Sequence, residues 1–408
     1  MLILLVFGAV SLVFAQPSEQ QLARWLKRFP AADADKDGRL TVEEAEAYRQ
    51  KLQAPGQEQP ANQYGGEIGL GAPPEPNIDA GWQAERFPDH AVCYLSPREI
   101  ADLYAKVRTG GREAVTSYPK PADGSLRIVG TGHSFMAPGY QALTAVARGA
   151  GLAQPPLCLH TGGGVTGSAR YKWEQENGIF QFDRKPVPKL LASIANAEWD
   201  VMMWGPYYHD RPEYYRCWID FCLKYNPGMK FYLMDGWPQI DQLPRRPTSD
   251  EAFTESLIAK MGELKQESFT KNVRVLEKEY PDKVFILPTC DAMVLAAQHQ
   301  IRGELPGVEG VHQLAGGKQR SLWRDRIGHL GPGFGNLEGY VFYATLYGRS
   351  PELLEGDINF GDGDFGDGDY PSRELDRVFR KIAWQAVINN PRSGVTDNNG
   401  DGVDDDRE

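Results

Sequence analysis

Two stretches far apart in the chain carry residue types suited to acyl-transfer chemistry. Gly130-Thr131-Gly132-His133-Ser134-Phe135 follows an apolar run directly. Glycines at a strand end let the backbone turn sharply, so the Ser134 hydroxyl would stand at the carboxyl edge of a sheet, beside backbone N–H groups. A serine nucleophile needs that placement. Gly-rich strand-to-helix turns also hold phosphates, but no Walker lysine follows and the dinucleotide spacing is absent. The second stretch is Asp325-Arg326-Ile327-Gly328-His329-Leu330, which runs into Gly331-Pro332-Gly333 and then a helix. Here a carboxylate shares one loop with a histidine. The imidazole can take the serine proton while the carboxylate fixes its tautomer and stabilises the imidazolium. The spacing predicts Ser134, His329 and Asp325 as nucleophile, base and orienting acid.

A third stretch suits a hard cation. Asp33, Asp35 and Asp37 fall at positions 1, 3 and 5 of a twelve-residue loop, with Gly38 at the sharp turn. The Arg39 carbonyl stands at position 7, Thr41 at 9, and Glu44 at 12 as a bidentate ligand. Helices are expected on both sides, over Gln20–Phe29 and Thr41–Leu52. This stretch resembles the EF-hand family, and calcium in a structural rather than switching role is the expected ion. Asp397, Asn399, Asp401 and Asp405 occupy positions 1, 3, 5 and 9 of the same scheme near the C-terminus. Calcium binding and a solvated acidic tail are both open there. The run 362–369 has no closing carboxylate at this spacing and reads as a loop.

The elements that must position these residues follow from hydropathy. Apolar runs at Ser125–Gly130, Pro156–His160, Trp199–Trp204, Lys230–Met234 and Lys283–Leu287 predict five strands. Helices are predicted over Ala142–Gly151, Glu213–Tyr225, Asp250–Tyr280, Gly335–Leu346 and Ser372–Val387. Strands apolar throughout and separated by helices predict a parallel sheet covered on both faces. Such sheets carry their sites at the carboxyl ends of the strands. The predicted division is a signal peptide (1–15), a calcium-binding unit (16–53), a Gly/Pro/Gln/Asn-rich linker (54–88), an α/β domain (89–350) and an acidic extension (351–408).

The first strand with its Gly-x-x-x-Ser turn, the WDVMMWGPYY strand and the closing DRIGHLGPGFGNLEGYVFYATLYGRSP stretch resemble the SGNH (GDSL-like) hydrolases over about residues 125–350. That resemblance implies a flavodoxin-like doubly wound sheet and a serine esterase mechanism, with Ser134, Asp325 and His329 in the triad. It also implies an oxyanion N–H from Gly163 or Gly164, after the second strand. Two departures stand out. Asp and His are separated by one residue more than the family pattern, which Gly328 can absorb. The third block has Gly205-Pro206-Tyr207-Tyr208-His209 where the family offers an Asn donor, so that either Tyr207 or His209 replaces it or the oxyanion hole is rearranged. Tyr207 and Tyr208 are also candidates to stack on a sugar. The other aromatics of the middle region, Trp204, Tyr215 and Trp218 among them, read as core packing. The implied substrate is an acyl or acetyl ester, such as one on a polysaccharide. The competing reading is a non-catalytic extracellular calcium-binding or scaffold protein on a degenerate hydrolase fold.

Composition narrows the surroundings. The chain has 408 residues, 41% of them hydrophobic and 24% charged, enough for a sizeable core. Its 44 basic and 55 acidic residues leave a net charge of −11, which argues against a nucleic-acid partner. Residues 351–408 hold 15 acidic and 6 basic side chains and so carry −9 of it. Met1–Ala15 is apolar, too short to span a bilayer and ends in small residues, as a secretory signal peptide does, although it has no Lys or Arg before the apolar run. A secreted or periplasmic protein with no membrane span in its mature chain is expected. Five scattered cysteines without a CxxC form no disulfide scaffold. Cys217 and Cys222 fall on different faces of one helix and should not bridge.

Overall fold

The computed structural model describes residues 22, 26, 32–53, 116–161, 181, 182, 185, 186, 190–205, 212–237, 240, 243, 246–358, 360 and 370–407. They belong to two compact units, one within Met1–Asn62 and one within Gln63–Glu408. The predicted signal peptide, linker and acidic run 362–369, together with Cys93, lie outside the described residues. No helix among the described residues is long and apolar enough to cross a membrane.

In the first unit, the acidic loop leads into helix α1 (Val42–Gln53). Of the preceding predicted helix, Leu22 and Leu26 are described and are helical. Leu22, Ala32 and Leu40 are buried together, with Leu26, Val42, Ala45 and Tyr48 packed against them.

The second unit is α/β. Strands β1 (Ile128–Gly132), β2 (Cys158–Thr161), β3 (Val201–Trp204), β4 (Lys230–Met234) and β5 (Val284–Leu287) form one sheet in the order β2-β1-β3-β4-β5. Every pairing in it is parallel. Flavodoxin-like sheets have this order, with a switch point between the first and third strands in space. The helices are α2 (Ala137–Gly149), α3 (Leu190–Asn196), α4 (Glu213–Tyr225), α5 (Glu255–Glu279), α6 (Thr289–Ile301), α7 (Phe334–Tyr347) and α8 (Arg373–Asn389). A short parallel pair, β6 (Gly310–His312) with β7 (Ser321–Trp323), stands apart from the main sheet.

Strand alternation explains why the strand sequences are apolar throughout. Ile128, Val201, Met203, Tyr232, Met234 and Leu287 join one core, with α2, α6, α7 and α8. Val129, Met202, Trp204, Phe231, Leu233 and Ile286 join the other, with α3 and α4. Successive side chains point to opposite faces, and each face is covered, so neither parity is left polar. Trp204, Tyr215 and Trp218 are fully buried in the second core, as packing residues. Helix α5 contributes Ile258 and Met261 to the first core and Phe269, Val273 and Leu276 to the second. Cys158, Cys217, Cys222 and Cys290 are buried free thiols.

Several predicted elements are corrected. The first strand begins at Ile128 and runs on to Gly132, two residues beyond the predicted end. The helix predicted from Ala142 starts at Ala137, with Pro138 in its first turn, where a missing N–H costs nothing. The long helix predicted from Asp250 is broken into a 3-10 turn, Asp250–Ala252, and α5, whose N-cap Thr254 accepts from the Leu257 amide at 3.3 Å. Asp250 is drawn away by tertiary partners: its carboxylate accepts from the Val311 amide at 3.0 Å and pairs with Lys318 at 3.3 Å. Helices α3 and α6 and the β6/β7 pair had no sequence expectation.

The acidic extension is also more than a tail. Leu375, Phe379, Ile382, Ala383 and Val387 of α8 are buried in the first core. Arg380 donates to the carbonyls of Leu354 (2.8 Å) and Gly356 (2.9 Å) and pairs with Asp376 at 2.8 Å. Tyr340 of α7 donates to the same Asp376 at 2.7 Å. Composition changes at residue 350, but the core runs through it.

Glu338, on α7, is 3% exposed among apolar neighbours. Its Oε2 accepts from the Gly139 amide in the first turn of α2 at 2.7 Å, while Oε1 has no hydrogen-bond partner. Burial pushes its carboxyl well above the ordinary value of 4.5, and the Gly139 bond opposes that only in part. The folded chain therefore keeps a proton that the unfolded chain releases above about pH 4.5. Stability from this group is complete below that pH and is lost as pH rises toward the folded value. Glu338→Gln keeps an acceptor for Gly139 but cannot ionise. Thermal midpoints of the variant should fall less than those of the wild type as pH rises from about 4.5 toward the folded value. Parallel melting curves for the two proteins would contradict this.

Candidate active site and acidic loops

The turn after β1 carries Ser134. Its backbone is shaped by bonds from the Met136 amide to the His133 carbonyl (3.0 Å) and from the Phe135 amide to His133 Nδ1 (3.3 Å). Tyr140, one turn into α2, donates to the carbonyls of Thr131 (3.1 Å) and Met203 (3.0 Å). This ties α2 to the carboxyl ends of β1 and β3 and holds the Ser134 turn at the sheet edge.

The Asp325–His329 loop leaves β7. It is closed by an antiparallel bridge between Trp323 and Leu330 and by a bond from the Arg324 amide to the His329 carbonyl at 2.9 Å. Gly328 has a φ of +89°, a conformation that disfavours side chains. The Gly328 carbonyl accepts from Trp237 Nε1 at 2.6 Å. Trp237 is 2% exposed and stacks on Phe135 at 5.2 Å, and Phe135 meets the His329 ring edge-on at 5.2 Å. An indole that follows β4 thus holds the loop and, through Phe135, flanks the imidazole. Trp237 had no sequence expectation; its one signal was its place just past a strand end.

The three predicted residues meet. His329 Nε2 lies 2.6 Å from Ser134 Oγ, and His329 Nδ1 lies 2.6 Å from Asp325 Oδ2. Asp325 Oδ1 accepts from the amides of Gly328 and His329, each at 3.1 Å. Burial alone would raise the Asp325 carboxyl, but the bonds from the His329 ring, the His329 amide and the Gly328 amide outweigh it and hold the carboxyl below its ordinary value. An ionised Asp325 on Nδ1 leaves Nε2 as the acceptor for the serine proton. The Ser134 amide makes no hydrogen bond among the described residues. Ser134 and His329 open into a cleft of about 200 Å³ walled by Phe135, Pro138 and Leu330. Gly163, Gly164, Tyr207, Tyr208 and His209 lie outside the described residues.

The N-terminal loop brings carboxylate oxygens of Asp33, Asp35 and Asp37 within 4.8 Å of one another. Amides fold the loop onto them: Gly38 donates to Asp33 Oδ2 (3.0 Å), Asp37 to Asp35 Oδ1 (3.1 Å) and Arg39 to Asp37 Oδ1 (2.7 Å). Asp33 is 9% exposed, and its Oδ1 is buried with no hydrogen-bond partner. A buried carboxylate oxygen without a donor fits a cation site. Glu44 is not gathered with these three aspartates and takes amides of the loop instead. Its Oε2 accepts from the Thr41 amide (2.9 Å), and the Glu44 amide donates to Thr41 Oγ1 (3.2 Å), a reciprocal cap on α1. Its Oε1 accepts from the Ala34 amide at 3.0 Å.

The C-terminal loop repeats this backbone pattern. Gly402 donates to Asp397 Oδ2 (3.2 Å), Asp401 to Asn399 Oδ1 (3.0 Å) and Val403 to Asp401 Oδ1 (2.8 Å). The offsets match those of the first loop, and Gly38 and Gly402 share a positive φ, +81° and +84°. Asp405 accepts from the Asn398 amide at 3.2 Å, in place of the Glu44–Ala34 contact. Trp384 of α8 donates to Asp397 at 3.0 Å, and the Ser350 amide donates to the Gly402 carbonyl at 2.7 Å, so the loop is sewn to the α/β unit. Asp397, Asp401 and Asp405 do not gather as the first three aspartates do, among the described residues.

Compared with known proteins, the chain matches no family profile and no curated protein. One solved structure it is similar to is a DUF4886 family protein from Bacteroides uniformis, with a TM-score of 0.42 and 12% identity, over 65% of this chain and 95% of that one. That likeness is too distant to carry an argument.

Proposed function

We propose that the chain is a serine ester hydrolase similar to the SGNH hydrolases, secreted through its N-terminal signal peptide and stabilised by calcium. The observation that carries this reading is the continuous Ser134–His329–Asp325 contact chain, 2.6 Å at each link, across 195 residues of sequence. Ser134 Oγ attacks the ester carbonyl as His329 Nε2 takes its proton. Asp325 holds the ring and stabilises the imidazolium. The Ser134 amide, in the turn before α2 and without a hydrogen bond among the described residues, receives the developing oxyanion with the N–H that the family resemblance implies at Gly163 or Gly164. His329 then returns the proton to the leaving alkoxide, and water repeats the sequence on the acyl-enzyme. The small cleft suits a short acyl group, such as an acetyl ester on a carbohydrate.

Asp33, Asp35 and Asp37, with the Arg39 carbonyl, Thr41 and Glu44, would hold one calcium ion in an EF-hand-like loop. Asp397, Asn399, Asp401 and Asp405 would hold a second. The ions would stabilise their own loops and take no part in the chemistry.

The test is a panel of short-chain aryl esters with Ser134→Ala as control. Turnover by the wild type that the variant lacks supports the assignment. Equal turnover by both would remove Ser134 from the mechanism, and no turnover at all would favour the calcium-binding scaffold. A second test addresses the loop. Trp237→Phe keeps the ring against Phe135 but removes the donor to Gly328, and a loosened His329 should cost roughly tenfold to a hundredfold in kcat with little change in KM. An unchanged kcat would show that this hydrogen bond does not position the base.

A further inference from the structure

The Ser134 cleft contains a charge that the chemistry above does not use. Arg324, the residue before Asp325, lines it together with Gln141 of α2. The guanidinium is exposed and makes no ion pair or hydrogen bond among the described residues. No ion pair joins it to its neighbour Asp325, whose oxygens accept from the His329 ring, the His329 amide and the Gly328 amide. Its own backbone is fixed by the bond to the His329 carbonyl. The guanidinium is thus rooted on the same closed loop as the base. Apart from the triad itself, the cleft lining holds no acidic side chain among the described residues, and Gln141 brings a neutral amide to the same cleft. In a chain of net charge −11 an unpaired arginine beside the nucleophile is a local exception.

We propose that the ester hydrolysed at Ser134 carries a carboxylate close to the scissile bond and that Arg324 binds this group, with Gln141 as a second donor. This rests on the ester-hydrolase reading of the site. A guanidinium offers a planar pair of N–H donors matched to a carboxylate, and such charge-assisted pairs are stronger than neutral hydrogen bonds. The carboxylate can belong to the acid or to the alcohol half of the ester. A hemisuccinate-like acyl group and a uronic-acid-like alcohol represent the two sources.

The experiment compares phenyl acetate with 3-acetoxybenzoate, charged in the alcohol half, and monophenyl succinate, charged in the acyl half. Wild type should favour at least one charged ester by about tenfold or more in kcat/KM, and added salt should shrink the preference. Arg324→Gln should remove the preference and leave phenyl acetate within about twofold, while Arg324→Lys should restore part of it. An equal loss on all three esters, or a wild type that shows no preference, overturns the proposal. Binding of the charged esters to Ser134→Ala, by calorimetry, separates this from failure of the hydrolase reading. If wild type cleaves none of the esters but Ser134→Ala binds a charged one and the Ser134→Ala, Arg324→Gln double variant does not, the anion site stands and the hydrolase reading falls. Absent or equal binding by the two proteins overturns the anion site.

Discussion

Ser134→Ala is expected to lower the turnover of a short aryl ester by about 10⁴- to 10⁶-fold, with the fold and the melting temperature nearly unchanged. The side chain is small and opens into the cleft, so its loss leaves no buried cavity. What disappears is the hydroxyl that His329 Nε2 meets at 2.6 Å among the described residues. His329→Ala should fall by a similar factor, and the Ser134→Ala, His329→Ala double variant by little more than either alone, because the two act as a unit. Asp325→Asn would replace an acceptor on Nδ1 by a group able to present an amide, and the wrong tautomer would then face Ser134; a loss on the order of 10⁴-fold in kcat is expected. Because the Asp325 carboxyl is held below its ordinary value, Asp325 stays ionised to lower pH than a free carboxylate, and its contribution to stability, complete above the ordinary value, is lost as pH falls from there through the folded one. The acid limb of a pH–rate profile should therefore not follow protonation of an ordinary carboxylate at Asp325. Fully additive losses in the double variant would show that the 2.6 Å contact is not catalytic.

Asp33→Ala should abolish one equivalent of calcium binding. Losing a carboxylate from the ion's own shell should weaken the loop by at least roughly a hundredfold, since removal of mere outer partners of metal ligands already costs 10- to 100-fold. Asp33 is the sharpest choice of the set. It alone brings a buried oxygen with no donor, and its other oxygen holds the Gly38 amide that folds the loop. Calorimetry on the full chain would count the equivalents before and after the substitution, and Asp397→Ala would do the same for the C-terminal loop. At calcium a hundredfold above the dissociation constant, the ion would stabilise its loop by about 2.7 kcal/mol. Chelation should lower the melting temperature and leave turnover at low temperature unchanged. Undiminished calcium heat in Asp33→Ala would remove this loop as a site, and turnover that vanishes with chelator while the fold survives would join calcium to the chemistry.

Local chemistry was legible in the sequence to the extent that its partners are close in the chain. The Asp33 and Asp397 loops fold through amides two to five residues from their acceptors, and Thr41 and Glu44 cap a helix three residues apart. Asp325 and His329 are similarly close, and the five strands announced themselves because both faces of a parallel sheet are covered, which makes each strand apolar throughout. The Ser134 turn was recognisable as a strand end with glycines. What no local pattern could supply was distance across the chain. Packing across the chain brings the carboxyl end of β1 to the loop after β7, and so lets Ser134 and His329 touch. The same long-range packing placed Trp237 under Gly328, broke the helix expected from Asp250, gave Glu338 a buried neighbour in Gly139, and drew α8 of the acidic extension into the core. Hydrophobic burial is non-directional and depends on which faces meet, so these outcomes belong to the assembled sheet and helices and to no segment alone.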